Sequence, residues 1–341
     1  MTTLVTGASG FLGSHVARLL AERGVRVRVL LRPTGQTRLL EGLAVERVSG
    51  DLRDSSSLAS ALAGVKTVYH VAADYRLWAR DPREIYESNV QGTRNLLEAA
   101  RRAGVEKFVY TSTVGTVALP RDGALPDENT ITSIDDMIGD YKRSKWLAEQ
   151  EAGQAAAAGL PVVIVNPTTP VGPGDAKPTP TGRIIVDFLN GRMPAYVDTG
   201  LNFVPVEDAA VGHLLAGERG RIGERYILGG ENLTLKQALE ILSQVSGRPA
   251  PRMRVPHVLA LGAAYADAAL ARLVGREPRI PLDGVRMARH SMFVNTEKAR
   301  TELGFSAGPI AAAFERAVRW YGSSGYVRAA GRPGMAAVRA A

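Results

Sequence analysis

Three glycines at three-residue spacing lie between an apolar run and a helical stripe at the start of the chain. The segment Thr6–Gly13 reads T-G-A-S-G-F-L-G; the run Thr3–Val5 precedes it and the stripe Ser14–Arg23 follows it. Glycine suits the sharp turn, the approach of a ligand to the backbone and close packing of helix on strand. Free N–H groups at the helix N-terminus then face a bound phosphate. The context favours a dinucleotide-binding turn over an ordinary tight turn, built from Gly7, Gly10, Phe11, Leu12 and Gly13.

Short apolar runs alternate with helical stretches through the first half of the chain. Strands are predicted at 25–31, 67–71, 108–110 and 162–165, and helices at 58–63, 82–103 and 141–158. In the first of these strands Val27 and Val29 alternate with Arg26 and Arg28, which predicts one polar face. Strand–helix alternation predicts an α/β fold with a Rossmann-type, doubly wound parallel sheet.

The chain has 341 residues, which suggests two domains at roughly 150 residues each. Prolines and glycines cluster from Pro167 to Gly182, and this cluster predicts a boundary loop. We therefore expect a dinucleotide-binding domain at 1–166, a smaller mixed α/β substrate-binding domain at 167–328 and a flexible tail at 329–341. In the second half, Thr234 and Gln237 predict a capping box, and Pro309 is placed at the first position of a helix.

Composition excludes several classes of site. The absence of cysteine removes disulfides, thiolate zinc sites, iron–sulfur clusters and a cysteine nucleophile, and it fits a reducing cytoplasm. The five histidines show no metal-ligand spacing, so no metal is expected. The net charge of +8 comes from 35 arginines and 7 lysines mixed with 34 acids, without a long basic run. We therefore expect no nucleic acid partner.

The longest apolar stretch, Val258–Val274, contains Asp267 and Arg272. It is expected to be too short and too interrupted to span a bilayer. An amphipathic helix of a soluble domain is the first interpretation, and peripheral docking on a membrane is the second.

The residues after the second strand bear on the choice of dinucleotide. An acidic residue about 20 positions after the glycines would bind the ribose 2′-OH of NAD, but the chain reads Leu30-Leu31-Arg32-Pro33-Thr34 there. A guanidinium at Arg32 matches the oxygens of a 2′-phosphate, which favours NADP(H), with NAD as the alternative. Asp51 is expected to hold the adenine edge or to cap the next helix.

Tyr141 and Lys145 are four residues apart and so share one face of a helix. A nearby ammonium lowers the pKa of a phenol, which would prepare Tyr141 to exchange a proton with a hydroxyl or carbonyl group. Thr111, Ser112 and Thr113 end a strand at the carboxyl edge, where open α/β sheets bind ligands.

The motifs together resemble the extended short-chain dehydrogenases/reductases of the NAD-dependent epimerase/dehydratase superfamily. They are T-G-A-S-G-F-L-G, His70-Val71-Ala72-Ala73, Asn89-Val90-Gln91-Gly92-Thr93, the hydroxyl cluster at 111–113 and Y-x-x-x-K. The segments at 73–78, 166–173 and 177–183 are similar to the bacterial hopanoid-associated sugar epimerase and dihydroflavonol-reductase-like subfamily. The motif at 202–210 resembles the family's return to the cofactor domain, which implies that 203–229 rejoins the first domain.

The resemblance implies roles for individual residues. Thr113 matches the triad hydroxyl, with Ser112 as an alternative, Tyr141 matches the acid/base, and Lys145 matches the lysine that also holds the nicotinamide ribose. Further residues are assigned to the cofactor: Leu52, Ala72, Ala73, Pro167 and Thr168. Candidate substrate residues are Tyr75, Trp78, Thr169 and Arg183, together with Asn89, which serves either in core bonding or in a water relay to Lys145.

These assignments leave three functions open. The first is an NADP(H)-dependent oxidoreductase moving hydride between nicotinamide and a secondary alcohol or ketone carbon. The second is an epimerase or dehydratase of nucleotide sugars or sugar lipids that keeps NAD bound. The third is a non-catalytic protein that senses a dinucleotide. We expect a small-molecule substrate, a cytoplasmic location and a homodimer.

Overall fold

A computed structural model describes residues 1–117 and 124–327 of the chain. The tail predicted at 329–341 lies outside these residues. The described residues form twelve strands: β1 (Thr2–Thr6), β2 (Arg26–Leu31), β3 (Val45–Ser49), β4 (Val65–His70), β5 (Lys107–Thr111), β6 (Val162–Pro167), β7 (Thr169–Val171), β8 (Ala195–Val197), β9 (Gly200–Pro205), β10 (Arg225–Leu228), β11 (Glu231–Thr234) and β12 (Met253–Val255).

The α-helices follow the strands in alternation through the first half and gather towards the end of the second. They are α1 (Phe11–Glu22), α2 (Leu58–Leu62), α3 (Arg83–Tyr86), α4 (Gly92–Arg102), α5 (Gly139–Ala157), α6 (Pro180–Leu189), α7 (Val206–Arg219), α8 (Leu235–Ser246), α9 (His257–Val274), α10 (Leu282–Met287) and α11 (Ile310–Ser323). A π-helical segment, Glu87–Gln91, joins α3 to α4, so that 83–102 is one continuous helix, as the sequence predicts.

Seven strands form the main sheet in the order β10-β6-β5-β4-β1-β2-β3, and every pair is parallel. Helices α1 and α7 cover one face of this sheet, and α2, α4 and α5 cover the other. The order reverses at β1, which lies between β4 and β2, and ligands bind at such switch points. The predicted doubly wound fold is confirmed.

The second half builds a smaller unit around a core of its own. A three-stranded sheet, β11-β9-β7, and a two-stranded sheet, β12-β8, pack with α6, α8 and α11. Strand β10 instead joins the edge of the main sheet, and α7 packs on that sheet. The division of the chain at residue 166 stays a prediction.

Two local predictions need correction. The face of β2 that carries Arg28 is buried, because the guanidinium donates to the carbonyls of Ala61 and Ala63 (3.0 and 2.7 Å) and pairs with Glu46. The alternation of valine and arginine in β2 therefore does not mark a solvent-exposed face, because Arg28 is buried. Pro309 is the N-cap of α11, with extended backbone, and is not its first helical residue. The Thr234–Gln237 capping box at the start of α8 is confirmed.

Helix α9 coincides with the long apolar stretch. By length and composition it could cross a membrane, and 11% of its residues are buried. The length of α9 therefore does not exclude a membrane-spanning helix, contrary to the expectation that this stretch is too short. The contacts of α9 instead hold it along the protein, because Ala264 and Ala271 are buried and Asp267 accepts hydrogen bonds from Arg276 and the Ile280 N–H.

Candidate active site

The glycine turn lies at the switch point between β1 and β4. Gly7 has φ +71°, and a Cβ there would stand 2.6 Å from the Ala72 nitrogen, so the turn is pressed against the end of β4. A Cβ on Gly13 would lie 2.2 Å from the Gly7 oxygen, which closes α1 onto the turn. Both positions require glycine.

The N-terminus of α1 is open to an anion. Its N-cap is Gly10, no side chain caps it, and its first turn has no acidic residue. Phe11 and Leu12 begin the helix and are half-buried. Unpaired N–H groups and the helix dipole favour phosphate at such an end. The turn therefore fits the pyrophosphate of a dinucleotide.

Arg32 follows β2 at the same edge of the sheet. It is exposed and forms no ion pair within the described part of the chain. Its charge acts on Asp51, whose pKa is lowered chiefly by the hydrogen bonds from Arg53 (3.1 and 2.7 Å) and to a smaller extent by Arg32. The neighbouring Leu52 packs beside Gly92. An unpaired cation therefore stands beside the site assigned to the adenosine.

The hydroxyl residues after β5 face two different partners. Thr113 accepts a hydrogen bond from the Gly115 N–H (3.1 Å), which leaves its own O–H free to donate towards Tyr141. Ser112 is buried and donates to Glu149. The geometry therefore places Thr113, and not Ser112, beside the Tyr141 hydroxyl.

The environment of Tyr141 differs from the sequence expectation. Burial raises its pKa, and hydrogen bonding by Thr113 opposes this rise without cancelling it. Lys145 Nζ donates to the Tyr110 hydroxyl (2.9 Å) and to the Thr111 carbonyl (2.7 Å), and within the described residues no hydrogen bond joins it to Tyr141. Burial lowers the pKa of Lys145 to about 7, although Glu149 opposes this.

Tyr110 belongs to a buried chain of hydrogen bonds that the sequence analysis missed. Thr6 Oγ1 lies 2.7 Å from His70 Nδ1, and His70 Nε2 lies 3.0 Å from Thr93 Oγ1. Thr93 in turn hydrogen-bonds Tyr110, next to Lys145. Burial lowers the pKa of His70 to about 3, so the ring is neutral. This series of hydrogen bonds joins Lys145 to the residue before the glycine turn, and its partners are 17 to 64 positions apart in the sequence.

Glu149 is a second residue that the sequence analysis missed. Its buried carboxylate accepts from Ser112, Thr116 (2.8 Å) and Asn166 (3.0 Å), and it pairs with Arg225 at 3.2 Å. These bonds tie β5, α5, β6 and β10 together beneath the site. The spacing Y-x-x-x-K-x-x-x-E was available as a signal, because residues four apart share a helix face.

Asn89 clasps the loop after β4. Its carbonyl oxygen accepts from the Asp74 N–H (2.7 Å), and its amide donates to the Asp74 carbonyl (2.9 Å) and the Ser144 hydroxyl (2.9 Å). Both amide hydrogens are thereby used. This agrees with the core-bonding interpretation, and the clasp fixes the segment that carries Ala72 and Ala73.

The remaining candidate substrate residues lie at the edge of the site. The Tyr75 hydroxyl donates to the Lys177 carbonyl (3.0 Å), and burial raises its pKa to about 12. Trp78 is 40% exposed. Arg183 is exposed on α6, 3.5 Å from Glu277, and its charge acts on Tyr75. Pro167 ends β6, Thr169 begins β7, and Thr168 between them is buried against Leu228.

A cavity of about 210 Å³ lies beside Thr113 and Tyr141. Their neighbours Val114, Gly115 and Lys142 form part of its wall. Most of the remaining wall is apolar (Val117, Pro126, Ile138, Met287, Met292, Phe293 and Val294), and Asp136 and His290 complete it. Lys142 Nζ lies 3.6 Å from the Met292 sulfur, and burial lowers its pKa to about 8. Within the described residues no carboxylate pairs with it.

A parallel sheet with a glycine turn at its switch point and a Tyr–Lys helix beside it defines a nicotinamide-dependent enzyme class. The family model described as "NAD dependent epimerase/dehydratase family" matches residues 3–229. The chain belongs to this family, and it is an enzyme of the NAD(P)-dependent short-chain dehydrogenase/reductase superfamily. The predicted resemblance is confirmed.

Two curated relatives extend this likeness over nearly the whole chain. The putative dihydroflavonol 4-reductase of Synechocystis is 45% identical over 328 residues, covering 95% of each chain. Sterol demethylase protein B of Methylococcus capsulatus is 40% identical over 329 residues, covering 96% of this chain and all of the relative. Among solved structures, that of gox2253 has a TM-score of 0.86 and 48% identity, and the match covers 96% of this chain and 99% of that one.

Proposed function

We propose that the protein is an NADP(H)-dependent reductase of a ketone carbon, or the reverse dehydrogenase, on a largely apolar substrate. The observation that carries this proposal is the largely apolar cavity whose lining includes Val114 and Lys142, the chain neighbours of Thr113 and Tyr141. An apolar wall favours an apolar substrate because burying its surface is favourable. Two relatives are named for reductase and sterol demethylase activity, which is consistent with this substrate class.

The side chains divide the work of such a reaction. A reduced nicotinamide, when bound at this site, would supply the hydride for the carbonyl carbon. Tyr141 gives its phenolic proton to the carbonyl oxygen as the C=O bond becomes C–OH, and burial, by raising its pKa, keeps that proton in place at neutral pH. Thr113 donates a hydrogen bond to the same oxygen and orients it. Lys145 would hold the ribose, and in its present position it is fixed by Tyr110 and Thr111.

The cofactor preference rests on Arg32. An exposed guanidinium without an ion pair beside Asp51 suits a 2′-phosphate better than a ribose hydroxyl, because it adds a charge-assisted hydrogen bond. NADP(H) is therefore proposed over NAD(H).

The family description supports a second candidate, an epimerase or dehydratase with retained NAD. One experiment separates the two. Purified protein is mixed with NADPH or NADH and a panel of apolar ketones, and loss of reduced cofactor is followed by absorbance. Consumption of NADPH supports the reductase. Protein that carries bound NAD and consumes neither reduced cofactor contradicts the reductase and supports the epimerase.

A further inference from the structure

Helix α9 presents large apolar side chains to solvent. Of its 18 residues, Ala264 and Ala271 are buried, whereas Val258 is 78% exposed, Leu259 65%, Leu270 53% and Leu273 86%. Soluble proteins seldom expose an apolar area that is continuous over five turns unless it has a partner.

These side chains lie on one side of the helix. At 100° per residue, the apolar face consists of eight positions without a charge: Val258, Leu259, Gly262, Ala263, Ala266, Ala269, Leu270 and Leu273. The opposite side holds α9 to the protein. His257 bonds to the Val285 carbonyl (2.8 Å), and Asp267 accepts from Arg276 and Ile280. The helix is therefore fixed lengthwise with its apolar face outward.

Positive charge predominates in the segment of the chain that contains α9. Residues 248–290 contain eight arginines and three acids, which is a net +5 out of the +8 of the whole chain. The three acids are each paired with an arginine: Asp267 with Arg276, Glu277 with Arg183 and Asp283 with Arg286. Four exposed arginines have no ion pair within the described part of the chain: Arg252, Arg272, Arg279 and Arg289.

The unpaired arginines distinguish between two possible partners of the apolar face, a second copy of the chain and a membrane surface. A second copy docked through the same face would be related by a two-fold axis and would bring two sets of unpaired arginines together. A bilayer containing anionic lipid buries the apolar face and neutralises the arginines at once. We infer that α9 docks lengthwise on the surface of a membrane rich in anionic phospholipid.

Docking at α9 is coupled by contact to the active site. Arg286 of α10 donates to the Tyr265 hydroxyl of α9 (3.0 Å), and the next residue, Met287, lines the cavity. Asp283 of α10 also packs closely against Gly139, which lies two residues before Tyr141. A Cβ on Gly139 would stand 2.3 Å from the Asp283 carboxylate. Helix α9, which faces the membrane, therefore packs against α10, which forms part of one wall of the cavity.

The test is sedimentation of the full chain with phosphatidylcholine vesicles, with and without phosphatidylglycerol. Wild-type protein is expected to sediment with the anionic vesicles, with binding that weakens as salt rises, and to stay in solution with neutral ones. The double variant Leu259→Glu/Leu270→Glu should bind the anionic vesicles at least tenfold more weakly. Arg272→Gln/Arg279→Gln should weaken binding several-fold.

The matched control is Ile131→Glu/Ile222→Glu, two apolar residues that are 94% and 57% exposed away from α9. It should bind as wild type does, and all variants should keep the wild-type Tm. No vesicle binding by the wild type, or a loss in Ile131→Glu/Ile222→Glu equal to that in Leu259→Glu/Leu270→Glu, overturns the inference. A dimer that Leu259→Glu/Leu270→Glu dissociates, without wild-type vesicle binding, assigns the face to a second copy and also overturns it.

Discussion

The ammonium of Lys145 donates to the hydroxyl of Tyr110 over 2.9 Å and lies 4.5 Å from the centre of the same ring. Both residues are buried, and the other partner of Lys145 is the Thr111 carbonyl. Neutral oxygens and a ring face therefore hold a cation that burial alone would disfavour. Lys145 is thus kept at the end of β5, and Tyr141 is left with Thr113 as its neighbour.

Replacing Tyr141 with phenylalanine should remove the proton donor and leave the fold unchanged. General acid catalysis contributes about 10²–10⁴-fold, so kcat should fall by at least about 100-fold. The affinity for the dinucleotide, measured by fluorescence titration, should change little. Tyr196→Phe is the matched control, because Tyr196 lies in β8 against the core of the second unit and has no assigned role in the site. Turnover of Tyr141→Phe within twofold of wild type would show that the acid/base assignment is wrong.

Arg32→Gln should weaken NADPH and spare NADH. Loss of a hydrogen bond to a charged group costs about 1.5–3 kcal/mol, which is roughly 10- to 150-fold in Kd. The measurement is titration of both cofactors against the wild type and Arg32→Gln. Arg101→Gln, an exposed arginine in the last turn of α4, serves as the control. Equal losses for NADPH and NADH would refute a contact with the 2′-phosphate.

Lys142→Met should alter recognition of the substrate more than the chemical step. Because burial lowers the pKa of Lys142 to about 8, the side chain is cationic below that pH and neutral above it. If the cation binds a substrate oxygen, KM should rise as the pH passes 8 in the wild type and should be flat in Lys142→Met. Lys177→Met, on an exposed loop, should retain the wild-type profile. A wild-type KM that is constant across this range would exclude the role.

The buried histidines should make the protein sensitive to acid. Burial lowers the pKa of His213 to about 4 and that of His70 to about 3, whereas an unfolded histidine titrates near 6.5. Between those values the unfolded chain binds more protons, so stability falls as the pH falls, by about 1.4 kcal/mol per pH unit for each histidine.

His213→Gln should therefore reduce the fall in unfolding free energy between pH 6 and pH 4 by the contribution of one histidine. This holds whatever the effect of the substitution on stability at neutral pH. Urea unfolding at several pH values measures the slope. His290→Gln, at an exposed position, should leave the slope unchanged. An unaltered slope in His213→Gln would mean that the ring is protonated in the folded protein.

The parts that could be predicted from sequence are those set by neighbours in the chain. The Gly7–Gly13 turn and the Thr234–Gln237 box each depend on residues within a few positions, so their spacing carries the signal. The partner of Lys145 could not be predicted in this way, because Tyr110 is 35 positions away. The same holds for Arg28, whose guanidinium is held by the carbonyls of Ala61 and Ala63 at the end of α2, more than 30 positions away.

The pairing of β10 with β6 has a consequence for synthesis. About 60 residues separate Val162–Pro167 from Arg225–Leu228, and they form much of the second unit before the main sheet gains its last strand. While a ribosome extends the chain through this interval, β6 is an unpaired edge of a fully buried, apolar strand. A chain stopped before Leu228 therefore exposes the edge of β6 as a template for aggregation.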